Sequence, residues 1–234
     1  MDGLGASVLT AIHLILHLNH DLLGIIVLSF QVSLVALAFG CIIALPLGAA
    51  VAVLRFPGRG LVVAALNAAM GLPGVVVGLV VYLLLSRSGP FGELGLLFTP
   101  SAMVIAQCVL IVPIIAALTY QTVADLHEKY DEQLRSLGSG RLRTMFTLLW
   151  DGRFSLVTAV LAGFGRAIAE VGTVIIVGGN INHYTRVMTT AIALESMRGD
   201  LPLAVALGIV LIVLALGITL LAQVVRDAAS RRYG

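Results

Sequence analysis

YDEQLRSLGSGRLRTMFTLLW, residues 130–150, concentrates charge in a chain that otherwise carries little of it. Of the 234 residues, 59% are hydrophobic and 11% charged, and the mean hydropathy is +1.07. That leaves too little polar surface to coat a globule in water. Residues 130–150 therefore read as a loop outside a lipid bilayer, between apolar runs that cross it. Those runs are continuous and about 20 residues or longer, whereas barrel strands would alternate over segments of about ten. The spans are helices, which satisfy their own backbone inside lipid.

Outward from that loop, five runs are long enough to cross: 22–54, 61–86, 102–121, 155–178 and 201–225. Pro46 predicts a tilt or kink near the far end of the first. Gly71, Leu72, Pro73, Gly74 and Gly78 weaken the second at mid-membrane depth, where broken backbone survives only against protein or a water-filled cavity. Residues 3–20 are too short to cross and lack a basic secretory n-region, and Val8, Leu9, Ile12 and Leu16 recur at helical spacing. An amphipathic helix on the outer membrane face or along the bundle is expected there. His13, His17 and His20 share one helical stripe, which suits either a three-imidazole metal site or a polar interfacial face.

Basic residues set the orientation. With 130–150 in the cytoplasm, Arg55, Arg59, Lys129, Arg135, Arg141, Arg143, Arg153, Arg226, Arg231 and Arg232 lie inside, and only Arg87, Arg186 and Arg198 outside. The N-terminus is then external and the C-terminus cytoplasmic.

Several chemistries are missing. The only lysine, Lys129, follows His127 and Glu128, so there is no phosphate loop. Paired discontinuous helices and acidic relays of a self-sufficient carrier are also absent. Active transport would therefore draw on a motor in another polypeptide, with ATP and Mg bound there and no cofactor in this chain. No nucleophile with a base, no HExxH and no convergent carboxylates point to an enzyme. Cys41 and Cys108 lie in apolar runs without metal or disulfide spacing, and a net charge of +2 gives no footprint for nucleic acid. Five spans make a poor conduit alone, so a homodimer with the path at its interface is expected. No separate regulatory domain is expected in the few residues after Val225.

Within 130–150, Glu132 to Gly138 reads EQLRSLG and is followed by SGRLRTMFTLLWD. This resembles the EAA loop of permease subunits of bacterial ABC importers: Glu-Ala-Ala, three residues, Gly, nine residues, then Ile-x-Leu-Pro. Glu132 and Gly138 match in type and spacing. Gln133 and Leu134 replace the alanines, and Leu148, Trp150 and Asp151 replace Ile, Leu and Pro. Glycines at 138 and 140 suit a stop between two helices, with Ser139 a candidate N-cap for the second. Charge and glycine alone fit an ordinary solvated loop equally well. The resemblance implies a coupling element across 125–150, with Glu132, Gly138, Ser139, Gly140, Arg141, Leu142 and Met145 meeting a cytoplasmic ATPase dimer.

Two further stretches, LNAAMGLPGVVVGLVVYLLLSRSGPFG from Leu66 and GFGRAIAEVGTVIIVGGNI from Gly163, are similar to the tungstate branch of the molybdate, tungstate and sulfate permeases. So is MTTAIALESMRGDLPLAVALGIVL, which follows. The resemblance, covering about 24–223, implies a type I ABC importer permease fold in the bacterial inner membrane. It also implies an extracytoplasmic tungstate-binding protein, a permease dimer and two ATPase subunits. Molybdate or another oxyanion is the alternative cargo, and a passive anion channel the alternative class.

Gly163, Arg166, Glu170, Thr173 and Val177 recur every three or four residues, which places them on one face of the fourth helix. Intramembrane charges face a bundle interior or water, so Gly163, Arg166, Glu170 and Thr173, with Asn67, Pro73 and Asn180, are candidates for the translocation path or dimer seam. Arg166 and Glu170 at i, i+4 suit either an internal ion pair or a direct part in anion passage. Arg186 and Arg198 suit either docking of the binding protein or plain surface.

Overall fold

The structure is a computed structural model that describes residues 20–233. The expected amphipathic helix with His13 and His17 lies outside the described residues. The helices are α1 (His20–Val53), α2 (Arg59–Ala69), α3 (Gly74–Leu85), α4 (Pro100–Ser136), α5 (Arg141–Asp151), α6 (Arg153–Ile168), α7 (Gly172–Gly178), α8 (Met188–Arg198) and α9 (Leu201–Tyr233), with a 3-10 turn at Gly92–Leu94. No strand occurs among the described residues. Three helices, α1, α4 and α9, are long and apolar enough to cross a membrane, and up to five spans result if the broken pairs α2/α3 and α5/α6 each count as one.

Three of the expected runs differ from single spans in informative ways. Residues 61–86 form two helices, because Pro73 lacks a donor, takes extended backbone (ψ 125) and biases Leu72 away from helix. The run 102–121 marks only the apolar part of α4, whose 37 residues continue to Ser136. At about 1.5 Å per residue that helix is roughly 55 Å long, against a hydrocarbon core of about 30 Å. The expected coupling loop thus begins as a helical extension of a span. The run 155–178 is also two helices, α6 and α7, interrupted at 169–171.

The chain divides into two compact units. One holds residues 20–35, Pro73–Gln107 and Ile168–Leu220. Its core packs Leu22 of α1 with Met188 and Ala191 of α8 and Leu207 of α9. Ser29 crosses from α1 to accept the Met188 N–H at 2.7 Å, satisfying an amide that the start of α8 leaves without a helical partner.

The other unit holds Ala36–Leu72, Cys108–Ala167 and residues 221–233. Here α1 and α4 approach closely, since a Cβ on Gly48 would come within 2.5 Å of the Ala116 carbonyl and one on Gly40 within 2.9 Å of Ile111. Lipid supplies no hydrophobic drive for helices to associate, so close backbone approach at small residues does that work. Arg59 closes the end of α1, donating to the Val51 and Ala52 carbonyls at 2.8 and 2.9 Å while its guanidinium stacks over Tyr120. Outward-facing Val27, Ile42, Ile212 and Leu220 remain exposed, as an apolar solvent permits.

Candidate coupling element and intramembrane clasp

The end of α4 is a Schellman turn. Gly138 sits in the left-handed region (φ +67), its N–H donates to Arg135 at 2.9 Å, and the Ser139 N–H reaches back to Leu134 at 2.9 Å. The turn aims α5, which then bends by 79° into α6 at Gly152. Ser139 is not the N-cap of α5. Gly140 is, in extended backbone without a side-chain cap, because the Ser139 hydroxyl lies one residue too early and instead accepts a hydrogen bond from Thr144 at 3.2 Å.

Amphipathic spacing divides α5 cleanly. Thr144 and Leu148 are buried, while Leu142, Phe146 and Trp150 recur every four residues at 71%, 68% and 72% exposure. They make one outward apolar stripe, flanked by exposed Arg141 and Arg143. Leu142 lies on this outward stripe, whereas Met145 is partly buried and packs against the cluster of Ala49, Ala52, Val53, Val123 and Leu148. Phe146 and Trp150 share this outward stripe and were not singled out by the sequence reading, although the four-residue spacing from Leu142 contained them. Glu132 is exposed on the last turn but one of α4, beside Asp131, which pairs with Arg135 at 2.7 Å.

The second constellation surrounds Glu170. Its buried Oε1 accepts the Thr173 N–H at 2.9 Å, which caps the start of α7. The Thr173 hydroxyl lies 2.6 Å from the Gly74 carbonyl and 3.0 Å from Glu170 Oε1, with one proton to share between them. Thr189 of α8 donates to the Glu170 carbonyl at 2.9 Å. Glycine lets these elements meet: a Cβ on Gly74 would overlap the Glu170 carboxylate, one on Gly78 would reach 2.8 Å from the Thr173 Cα, and one on Gly172 would reach 2.5 Å from Val75. Glu170 and Thr173 are therefore parts of a clasp that binds α3 to α7 and α8.

This rewrites the single-face argument. Because α6 stops at Ile168, helical spacing does not carry from Arg166 to Glu170. Arg166 donates to the Leu72 carbonyl at 3.4 Å, one of the acceptors freed where α2 ends. Gly163 is explained by packing, since a Cβ there would meet Ile115 of α4 at 2.6 Å. Asn67 is exposed on α2, and Pro73 is the N-cap of α3. Asn180 takes left-handed backbone (φ 49) after α7, and its buried Oδ1 has no hydrogen-bond partner. Arg186 and Arg198 both reach the buried Glu195, at 3.8 and 3.3 Å.

The long helix α4 continues past its apolar stretch, turns on a left-handed glycine and leads into a helix with an outward apolar stripe. Over residues 44–234 the sequence matches the family described as the binding-protein-dependent transport system inner membrane component. The chain belongs to that family. It is 38% identical over 218 residues to a probable anion ABC transporter permease protein of Haloferax volcanii, covering 91% of this chain and 94% of the relative. It is also 38% identical to the tungstate uptake system permease protein TupB of Peptoclostridium acidaminophilum, covering 93% and 96%. TupB of Campylobacter jejuni is 40% identical over 149 residues, covering 64% of this chain and 62% of the relative. As a binding-protein-dependent permease, the chain is a multi-pass inner-membrane subunit. Its family lacks an ATPase site of its own and works with an ATPase and a substrate-binding protein.

Proposed function

We propose that this permease carries tungstate inward as a homodimer, driven by a separate ATPase dimer that holds ATP and Mg and supplied by an external tungstate-binding protein. The reading places the N-terminus outside and the α4/α5 turn in the cytoplasm. The observation that carries it is the outward apolar stripe Leu142, Phe146 and Trp150 at the tip of a continuous helix. Apolar side chains in water at the end of a charged helix cost free energy unless a partner covers them. Tungstate as cargo is supported by two relatives named as tungstate permeases.

In this mechanism ATP binding closes the ATPase dimer and moves α5, and α4 carries the displacement into the membrane as a rigid rod. Gly138 with Glu132 holds the angle of the joint, and Ser139, Gly140, Arg141 and Leu142 complete the contact. Glu170, Thr173 and Gly74 make α3 and α7 move as one body. Arg166, Asn180, Asn67 and Pro73, with Gly163 at a close packing point, border the path or dimer seam. A transit path must release its anion readily, which suits isolated donors better than a closed cage.

The test is reconstitution of the permease with its ATPase and binding protein. Tungstate-loaded binding protein is expected to stimulate ATP turnover and uptake well above molybdate- or sulfate-loaded protein. Equal stimulation by all three would refute tungstate selectivity, and oxyanion flux without ATP would refute the importer itself.

A further inference from the structure

A cavity of about 290 Å³ opens beside the joint between α4 and α5, and its wall shares Ser139 and Arg141 with the proposed coupling contact. Arg55, just past α1, and Arg141, in the first turn of α5, both line it, together with His127, Asp131, Arg135 and Ser139. Arg135 is neutralised within the wall, since Asp131 accepts from its Nε at 2.9 Å and lies 2.7 Å from its Nη2. Arg55 and Arg141 have no carboxylate partner among the described residues. Two exposed arginines from separate elements, neither paired with a carboxylate, therefore line one half-open cavity.

The rest of the wall is rich in donors. The Ser139 oxygen already accepts from Thr144, which leaves its own proton available. The first amides of α5 have no side-chain cap and carry the positive end of the helix dipole. His127 Nδ1 is buried without a hydrogen-bond partner. The one carboxylate, Asp131, is engaged by Arg135, so the cavity offers nothing comparable to a cation. Two arginines with a serine hydroxyl in the same wall are the donor set that a phosphate-like oxyanion recruits.

We propose that this cavity binds a tetrahedral oxyanion between Arg55 and Arg141, either as a free inorganic ion or as the phosphate of a lipid headgroup. Bound there, the anion ties the end of α1 to the start of α5 and stiffens the coupling joint. The site stands independently of which ion the permease transports.

The test uses the full-length permease. In detergent, tungstate and inorganic phosphate are titrated calorimetrically, and in nanodiscs, retention of phosphatidylglycerol is compared with that of phosphatidylcholine. A free-ion site predicts saturable binding weakened about tenfold or more by Arg55→Gln and by Arg141→Gln, with Arg55→Lys intermediate. Arg87→Gln, in an exposed turn, should leave it unchanged. A lipid site predicts no free-ion binding but selective retention of phosphatidylglycerol that both glutamine variants lose. Tungsten anomalous density from the wild-type protein locates the free ion without relying on any variant, and must fall against Arg55 and Arg141. Absence of all three ligands, binding indifferent to both arginines, or tungsten density only elsewhere would overturn the proposal.

Discussion

Gly138→Val is expected to cut uptake per ATP hydrolysed by more than about tenfold while the permease still inserts and dimerises. The penalty is conformational, because nothing lies within 4 Å of a Cβ at this position whereas the backbone is left-handed at φ +67. An L-residue there costs roughly 1–2 kcal/mol, and a β-branched one more. A chain that relaxes out of this region loses the Gly138 and Ser139 amide bonds to α4 and points α5 elsewhere. Asparagine tolerates left-handed backbone better than alanine or valine. Coupled uptake in proteoliposomes should accordingly rank Gly138, then Asn, then Ala, then Val. Normal coupling in Gly138→Val would show that this turn transmits nothing.

Gly78→Val should collapse the contact of α3 with α7. The added Cβ would stand 2.8 Å from the Thr173 Cα and 3.2 Å from its carbonyl oxygen, both backbone atoms that no rotamer change can move. Overpacking of this kind costs about 1–3 kcal/mol for one methyl group and more for an isopropyl. Thermal unfolding in detergent should shift down strongly for Gly78→Val and less for Gly78→Ala. Gly60→Ala, where the Cβ meets nothing within 4 Å, is the neutral control. The clasp gives a second reading on the same assay. Glu170→Gln keeps an oxygen for the Thr173 amide, whereas Glu170→Ala leaves a buried donor unpaired at a cost of about 1–3 kcal/mol. A Gly78→Val permease as stable as wild type would contradict the described α3/α7 packing.

Most of this architecture was legible because lipid imposes simple rules. Continuous apolar runs marked α1, α4 and α9, and the proline and glycines at 71–74 marked the α2/α3 break from backbone chemistry alone. Hydropathy, however, reports where lipid ends and not where a helix ends. The polar stretch 125–136 therefore hid the last turns of α4, although its Leu, Glu, Lys and Gln are good helix formers. The break at 169–171 was harder to see. Glu170 reads as a costly intramembrane charge until Gly74 and Thr189, distant in sequence, are placed around it and its neighbour Thr173. Helical spacing placed Arg166 and Glu170 on one face, since the argument assumed a helix that in fact stops at Ile168. The inward packing of Met145 was hidden for a related reason: which face of α5 turns inward depends on Val53 and Val123, which local spacing cannot supply.

The central claim is that a tip formed by α4 and α5 receives work from a cytoplasmic engine. The most direct measurement introduces Leu142→Cys into a background with Cys41→Ala and Cys108→Ala and labels it with a membrane-impermeant maleimide in right-side-out and inverted vesicles. Labelling confined to inverted vesicles, and blocked when the ATPase is bound, is the predicted result. Labelling from the outside, or labelling unaffected by the ATPase, would contradict the account.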